Sequence, residues 1–240
     1  MNTRGLLDQL LKSGQELLQN KGLAQAGGQP QAGQGAGKVG LDIGSLLSGA
    51  GGGALAAGAL GLLLGSKKAR KMGGKVVTYG GLAALGVIAY KAYGNWQRQQ
   101  ASAPRGEPQT VDRLPPVEAE AHSHAILRAL VAAAKADGHI DARERQLIDG
   151  EIAKLTGDLE LQGWLDRELA KPLDPQEVAR AAKSEEMAAE MYLASLLMVD
   201  EENYMERAYL DELARQLSLD PGLKAELETQ AQKALQALPA

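Results

Sequence analysis

An uncharged, apolar stretch near the N-terminus constrains this chain more than any other feature. Residues 43–65 are 23 positions without a charged side chain, and seven of them are Leu. A helix rises ~1.5 Å per residue, so this length matches the ~30 Å hydrocarbon core of a bilayer. Eight Gly in the same stretch would suit a flexible linker, but the Leu content is too high for a solvated one. We therefore predict that the stretch enters a membrane.

Small residues recur at every fourth position of this stretch and would form one flat stripe on a helix. Such a stripe lets two helices approach closely in lipid, which predicts self-association or contact with a protein partner. The stripe consists of Gly49, Gly53, Ala57, Gly61 and Gly65. A basic cluster follows directly and is predicted to contact anionic lipid headgroups. Its members are Lys67, Lys68, Arg70, Lys71 and Lys75.

A second uncharged stretch, residues 76–90, is shorter than the usual membrane span. It could be a second span, a half-buried surface helix or the partner in a helical hairpin, with Tyr79, Tyr90, Tyr93 and Trp96 at the membrane interface. Residues 43–96 are therefore predicted to form one membrane span or a hairpin. Residues 1–42 are predicted to be an amphipathic helix followed by a flexible linker, and 97–116 a Pro-rich tether.

The remaining residues, 117–240, are predicted to form an all-α domain of about seven helices. They carry a formal net charge of −12, against +8 for residues 1–116. Phosphate would be repelled by such a domain, so we expect no nucleic-acid partner. Asp174 and Asp220, each followed by Pro, and Ser184 are predicted helix N-caps. The chain has no Cys and none of the familiar catalytic motifs, so we expect it not to be an enzyme.

Two helix junctions within this domain have similar acidic patterns. They could bind a divalent cation through Asp137, Asp141, Glu144, Asp200 and Glu206, because hard cations prefer oxygen ligands. The alternative is structural, since Asp141 with Glu144, and Asn203 with Glu206, have the spacing of capping boxes. No cofactor is certain beyond this possible cation. His122 and His124 lie two positions apart, do not share a helix face and are expected to be surface residues.

The string AKADGHIDARERQLI at the first junction resembles the signature of tellurite-resistance TerB-like domains. Together with KPLDPQ, EEMAAEMY and ENYMERAYLDELA, the layout resembles the YebE-like bacterial inner-membrane family, whose function is not established. The resemblance implies a compact TerB-type bundle, a location in the inner membrane, a stress or envelope context and possible metal binding.

These observations lead to the expectation of a membrane-anchored, non-enzymatic interaction module, with a divalent-metal-binding domain as the alternative. A single span would keep the basic cluster and the acidic domain in the cytoplasm, whereas a hairpin would put the domain outside. We expect the cytoplasmic side, because related domains on other membrane proteins lie there.

Overall fold

The computed structural model describes residues 2–8, 81–100, 106–136, 145–146, 148–150, 153, 156–199 and 203–236. Within these ranges the chain is helical, with turns and loops between the helices and no strand. The fold class predicted from the sequence is therefore confirmed as all-α for the part of the chain that is described.

Seven of the described helices have both a first and a last residue assigned. They are α1 (Gly81–Gln99), α2 (Pro116–Ala134), α3 (Leu159–Ala170), α4 (Pro175–Ala179), α5 (Glu185–Met198), α6 (Tyr204–Gln216) and α7 (Pro221–Gln236). Short helical pieces are also present at residues 3–8 and within 145–153.

Helix α5 lies at the centre of the bundle. It packs against α1, α2, α6 and α7, and eleven of its fourteen residues are buried. A helix that is apolar on all sides is stable in water only when other helices cover it. The core around it consists mainly of Leu, Ala, Met, Val and Ile side chains, together with three Tyr and two Trp.

The predicted N-caps are present in the fold. The side chain of Asp174 accepts a hydrogen bond from the Gln176 amide, and that of Ser184 accepts one from the Met187 amide. Asp220 accepts bonds from the amides of the second and third residues after it. Each cap satisfies amide groups that have no partner within the helix, which is why these helices begin where the sequence indicates.

Helix α1 packs into the bundle, and this differs from the sequence expectation for residues 76–96. Leu82, Leu85 and Ala89 are buried against protein, and α1 lies along α7 and α5. The loop after α1 also packs on the bundle, because Thr110 and Val111 are buried. Residues 106–115 are therefore a fixed part of the fold, whereas the sequence predicted an extended tether there.

In the ranges that are described, none of the helices has both the length and the apolar content needed to cross a membrane. The 43–65 stretch, its stripe of small residues and the basic cluster at 67–75 lie outside these ranges.

Candidate functional site

A carboxylate at the centre of α5 is fully buried and pairs with a histidine on α2. Glu190 has no exposed surface, and its Oε2 lies 2.5 Å from Nδ1 of His122 on α2. Its Oε1 accepts a hydrogen bond of 2.6 Å from the backbone amide of Val111, in the loop after α1. This His122–Glu190 centre therefore joins two helices and a loop that are distant in the sequence.

The loop reaches the centre because α1 has a glycine where the two meet. A Cβ atom on Gly86 would lie far closer to Oδ1 of Asp112 than van der Waals contact allows. The same Oδ1 accepts a 2.6 Å hydrogen bond from the Thr110 hydroxyl. Gly86 thus permits the close approach that brings the Val111 amide to Glu190.

Burial raises the pKa of the Glu190 carboxyl, and the negative charge of Asp112 acts in the same direction. The bonds from His122 and Val111 oppose this effect by favouring the ionised form. His122 is 6% exposed, so the pair is shielded from solvent on both sides. An arrangement of this kind links parts of the fold, and it does not present either side chain to a substrate.

The two histidines were expected at the surface, and this expectation is wrong for His122. His124 is also partly enclosed, with its ring 4.4 Å from the Trp164 ring, and burial lowers the pKa of its imidazole. The sequence does carry a signal for the His122–Glu190 centre. An acidic residue in the middle of a helix that is apolar on every side must find a buried partner.

A network of charged side chains lies where α2, α3 and α4 meet. The Lys135 ammonium donates to the backbone carbonyls of Glu168 (3.0 Å) and Lys171 (2.8 Å) at the end of α3. The Lys171 ammonium lies 3.0 Å from Glu168 and 2.5 Å from Glu177, and both contacts raise its pKa. Arg128 completes the network at 3.3 Å from Glu168. These contacts neutralise the buried charges and give hydrogen-bond partners to the carbonyl groups at the end of α3.

A cleft of about 240 Å³ lies between α5, α6 and α7. Tyr192 and Leu196 contribute to its floor, and the Tyr192 hydroxyl donates to Glu228 at 2.8 Å. Lys224 lies 3.0 Å from Glu228 and 3.3 Å from Asp211 at the rim. The rim charges are thus already paired with one another.

Most of the predicted cation ligands lie outside the described residues, namely Asp137, Asp141, Glu144 and Asp200. The fifth, Glu206, is buried in the first turn of α6. Asn203 caps that helix through a 2.9 Å bond from the Met205 amide, which is an N-cap contact and not by itself the reciprocal pair of a capping box. Among the described residues, no group of three or more His, Asp or Glu side chains could hold a metal ion.

Comparison with known proteins gives a relative and a family match. A protein found in the ampR 5' region of Yersinia enterocolitica, itself uncharacterized, is 31% identical over 122 residues, which are 51% of this chain and 86% of that protein. No solved structure matches the chain significantly. Residues 49–231 match the family described as "Protein of unknown function (DUF533)", which is TerB-like. The match covers well over half of the sequence, and the chain therefore belongs to the DUF533 family.

Proposed function

We propose that this protein is a membrane-anchored, non-enzymatic module that holds an acidic helical bundle at the bilayer surface, where the bundle binds a protein partner. The observation that carries the proposal is the uncharged apolar stretch 43–65, and the packing of α1 into the core limits how far the bundle can lie from it. Only residues 76–80 separate the last basic residue, Lys75, from Gly81 at the start of α1. At ~3.4 Å per extended residue, the bundle stays within about 20 Å of the basic cluster.

The charge distribution supports an orientation for the bundle. Basic side chains near an anionic leaflet contribute about 1 kcal/mol each, and the attraction falls off within a Debye length of ~10 Å. The C-terminal region, with its formal −12, is repelled by the same surface. The basic cluster would therefore face the lipid, while the acidic bundle faces away and is open to a partner.

Flotation of the full chain with lipid vesicles tests the anchoring. We expect it to float with phosphatidylcholine vesicles that contain one quarter phosphatidylglycerol, and a variant lacking residues 43–65 to stay at the bottom of the gradient. The change Lys67→Gln with Lys68→Gln should reduce binding to the anionic vesicles. Arg180→Gln with Lys183→Gln is the matched control, because it removes the same charge from exposed positions of the bundle. Flotation that does not depend on residues 43–65 contradicts the proposal.

Divalent-metal binding is a second candidate, favoured by the burial of Glu206. A carboxylate in the first turn of α6 needs no burial to act as a cap, whereas a ligand of an internal cation does. Titration calorimetry of the full chain with Ca²⁺, Mg²⁺, Mn²⁺ and Zn²⁺ tests this candidate. Glu206→Gln should abolish any heat of binding, and Glu118→Gln, an exposed first-turn acid on α2, should leave it unchanged. Absence of heat with all four ions rejects metal binding.

A further inference from the structure

The N-terminal residues occupy a specific site on the helical bundle. Leu6 and Leu7 belong to the same buried apolar core as α1 and α5. The Glu120 carboxylate on α2 accepts hydrogen bonds from two successive amides, that of Thr3 at 2.5 Å and that of Arg4 at 3.0 Å. The bundle therefore offers the segment both an apolar seat and a carboxylate that receives the start of a helix.

A second carboxylate holds the same segment from the start of α3. Asp158 accepts a 3.1 Å hydrogen bond from the Asn2 amide through Oδ2, while its Oδ1 caps α3. The Asn2 side chain accepts a 2.9 Å bond from the Gly5 amide, and a Cβ atom on Gly5 would displace that side chain. These contacts select Asn, Gly and two Leu at fixed positions. We call the Glu120 and Asp158 carboxylates, with the part of the core that buries the two Leu, the N-terminal site.

The segment owes its order to the N-terminal site. Residues 3–8 form a helix of only six residues, which is too short to be stable by itself in water. The Thr3 hydroxyl is buried and has no hydrogen-bond partner among the described residues. A buried hydroxyl in this state weakens the docking. We therefore expect the segment to leave the site and to enter it again.

The connection to the rest of the bundle is long enough to reach a neighbouring molecule. Residues 9–80 are 72 positions, which can span at most roughly 240 Å at ~3.3 Å each. A folded unit of about 150 residues has a radius of gyration of only about 15 Å. The advantage of a chain's own segment falls with the length of its connection, because effective concentration decreases roughly as the −3/2 power of that length. The N-terminal site can therefore be filled from the same copy or from another.

We infer that the N-terminal site is an interface between copies of this protein, in which residues 2–8 of one copy dock on the bundle of another. The occupant is a second copy because the site fits one sequence and every copy carries that sequence. The exchange repeats contacts already present within one chain, which makes it a low-cost route to a dimer. The inference deepens the proposed function, on whose protein-partner part it rests, by naming the partner and the surface. Copies that share a membrane are close enough to exchange.

Cross-linking between two differently marked copies tests the inference, because the chain has no Cys of its own. One full-length copy carries Asn2→Cys and the other Leu159→Cys, an exposed position next to the residue that binds the Asn2 amide. After mixing in detergent and incorporation into phospholipid vesicles, a short bismaleimide should join them into a product of twice the chain mass. Ala225→Cys, at an exposed position of α7, replaces Leu159→Cys in the matched control and should give no such product. Absence of the dimer overturns the inference, whether or not the two changes placed in one chain cross-link internally.

Changes in the receiving copy separate specific docking from random collision. Removing residues 2–8 from the Leu159→Cys copy empties its site, so the yield of cross-linked dimer should rise severalfold. Glu120→Gln in that copy leaves one oxygen to accept from two amides, and the yield should fall severalfold. Glu118→Gln, at an exposed position of the same helix, is its matched control and should leave the yield unchanged. Equal yields from all of these pairs overturn the inference.

A change in the donating copy gives a check that does not depend on the fold of the receiving bundle. Leu7→Ala in the Asn2→Cys copy removes part of the apolar contact, and the dimer yield should fall severalfold although the receiving copy is unaltered. Flotation keeps the proposed anchoring apart from the exchange. If the full chain floats with vesicles and no dimer forms, the anchoring stands and the inference fails. If the dimer forms and the chain does not float, the anchoring fails and the inference stands.

Discussion

Removing the Glu190 carboxylate is the sharpest test of how the bundle is held together. Glu190→Ala would leave the His122 ring and the Val111 amide without their partner inside the core. Leaving a buried hydrogen-bonding group without its partner costs about 1–3 kcal/mol, so the two groups together should lower the free energy of unfolding by about 2–6 kcal/mol. Whole domains are stable by only about 5–15 kcal/mol. At about 2–4 °C per kcal/mol for a chain of this size, the melting temperature should fall by roughly 4–24 °C.

The conservative variant shows which part of the contact matters. Glu190→Gln keeps the shape and an oxygen that can accept from Val111, so its effect should be about 1–2 kcal/mol. Urea unfolding of the full chain, followed by circular dichroism at 222 nm, gives the midpoints for both variants. Amide hydrogen exchange at Val111 should accelerate in Glu190→Ala and change little in Glu190→Gln.

A matched control is available on α6. Glu212 is a surface carboxylate that pairs with Arg215 three residues later, and Glu212→Ala should leave the urea midpoint nearly unchanged, because solvent screens such pairs. If Glu190→Ala unfolds at the same urea concentration as Glu212→Ala, the reasoning is refuted. The His122–Glu190 centre would then not be what joins α2, α5 and the loop.

Three further predictions follow from the same contacts. Burial raises the folded-state pKa of Glu190 above the ordinary Glu value of about 4.3. The stability of wild type relative to Glu190→Gln should therefore be greatest below about pH 4.3, and should fall as pH rises through the raised pKa. Urea midpoints of both proteins across pH 4–8 test this, and a stability difference that grows with pH contradicts it. Leu7→Ala should lower the unfolding free energy by about 2–5 kcal/mol and speed tryptic cleavage after Arg4, whereas Leu159→Ala, at an exposed Leu, should do neither. Gly86→Ala should lower the free energy of unfolding by about 1–3 kcal/mol through the clash of its Cβ with Asp112. Adding Asp112→Ala should recover part of that loss. If the effects of the two changes on the free energy of unfolding simply add, the clash is refuted.

Helix starts were predictable because the interactions that create them are local. Asp174, Ser184 and Asn203 each bind amides two or three residues ahead, so the cap and its target lie in the same short string. The helices of the C-terminal part follow from these caps together with the apolar periodicity between them. This is why the all-α class could be inferred from the sequence.

The His122–Glu190 centre could not be located in the same way. Its two members are 68 positions apart, and the Val111 amide belongs to a loop whose Pro-rich surroundings suggested a tether. Composition reports the flexibility of an isolated segment, whereas the buried acceptor on α5 fixes this loop in the fold. The sequence shows an acid within an apolar helix, but it does not say which residue pairs with that acid.

The position of α1 shows that polar side chains on an apolar helix can decide whether it packs on protein or enters lipid. Tyr93 and Trp96 resemble membrane-interface anchors, but the Tyr93 hydroxyl donates to Glu185 at 2.7 Å and the Trp96 indole to Asp220 at 2.8 Å. Asn95 adds a bond to Glu226 at 2.5 Å. Carboxylates on α5, on α7 and at its cap thus give α1 specific partners that hydrocarbon lacks.

The 43–65 stretch has no comparable groups, because its only polar side chains are Ser45 and Ser48. Apart from these two hydroxyl groups, no side chain in it can form directional bonds to the acidic bundle, while every Leu in it favours hydrocarbon over water. Two neighbouring apolar stretches of one chain are therefore expected to have different environments. The polar residues of α1 explain its packing on protein, and the near absence of such residues is the reason to expect lipid around 43–65.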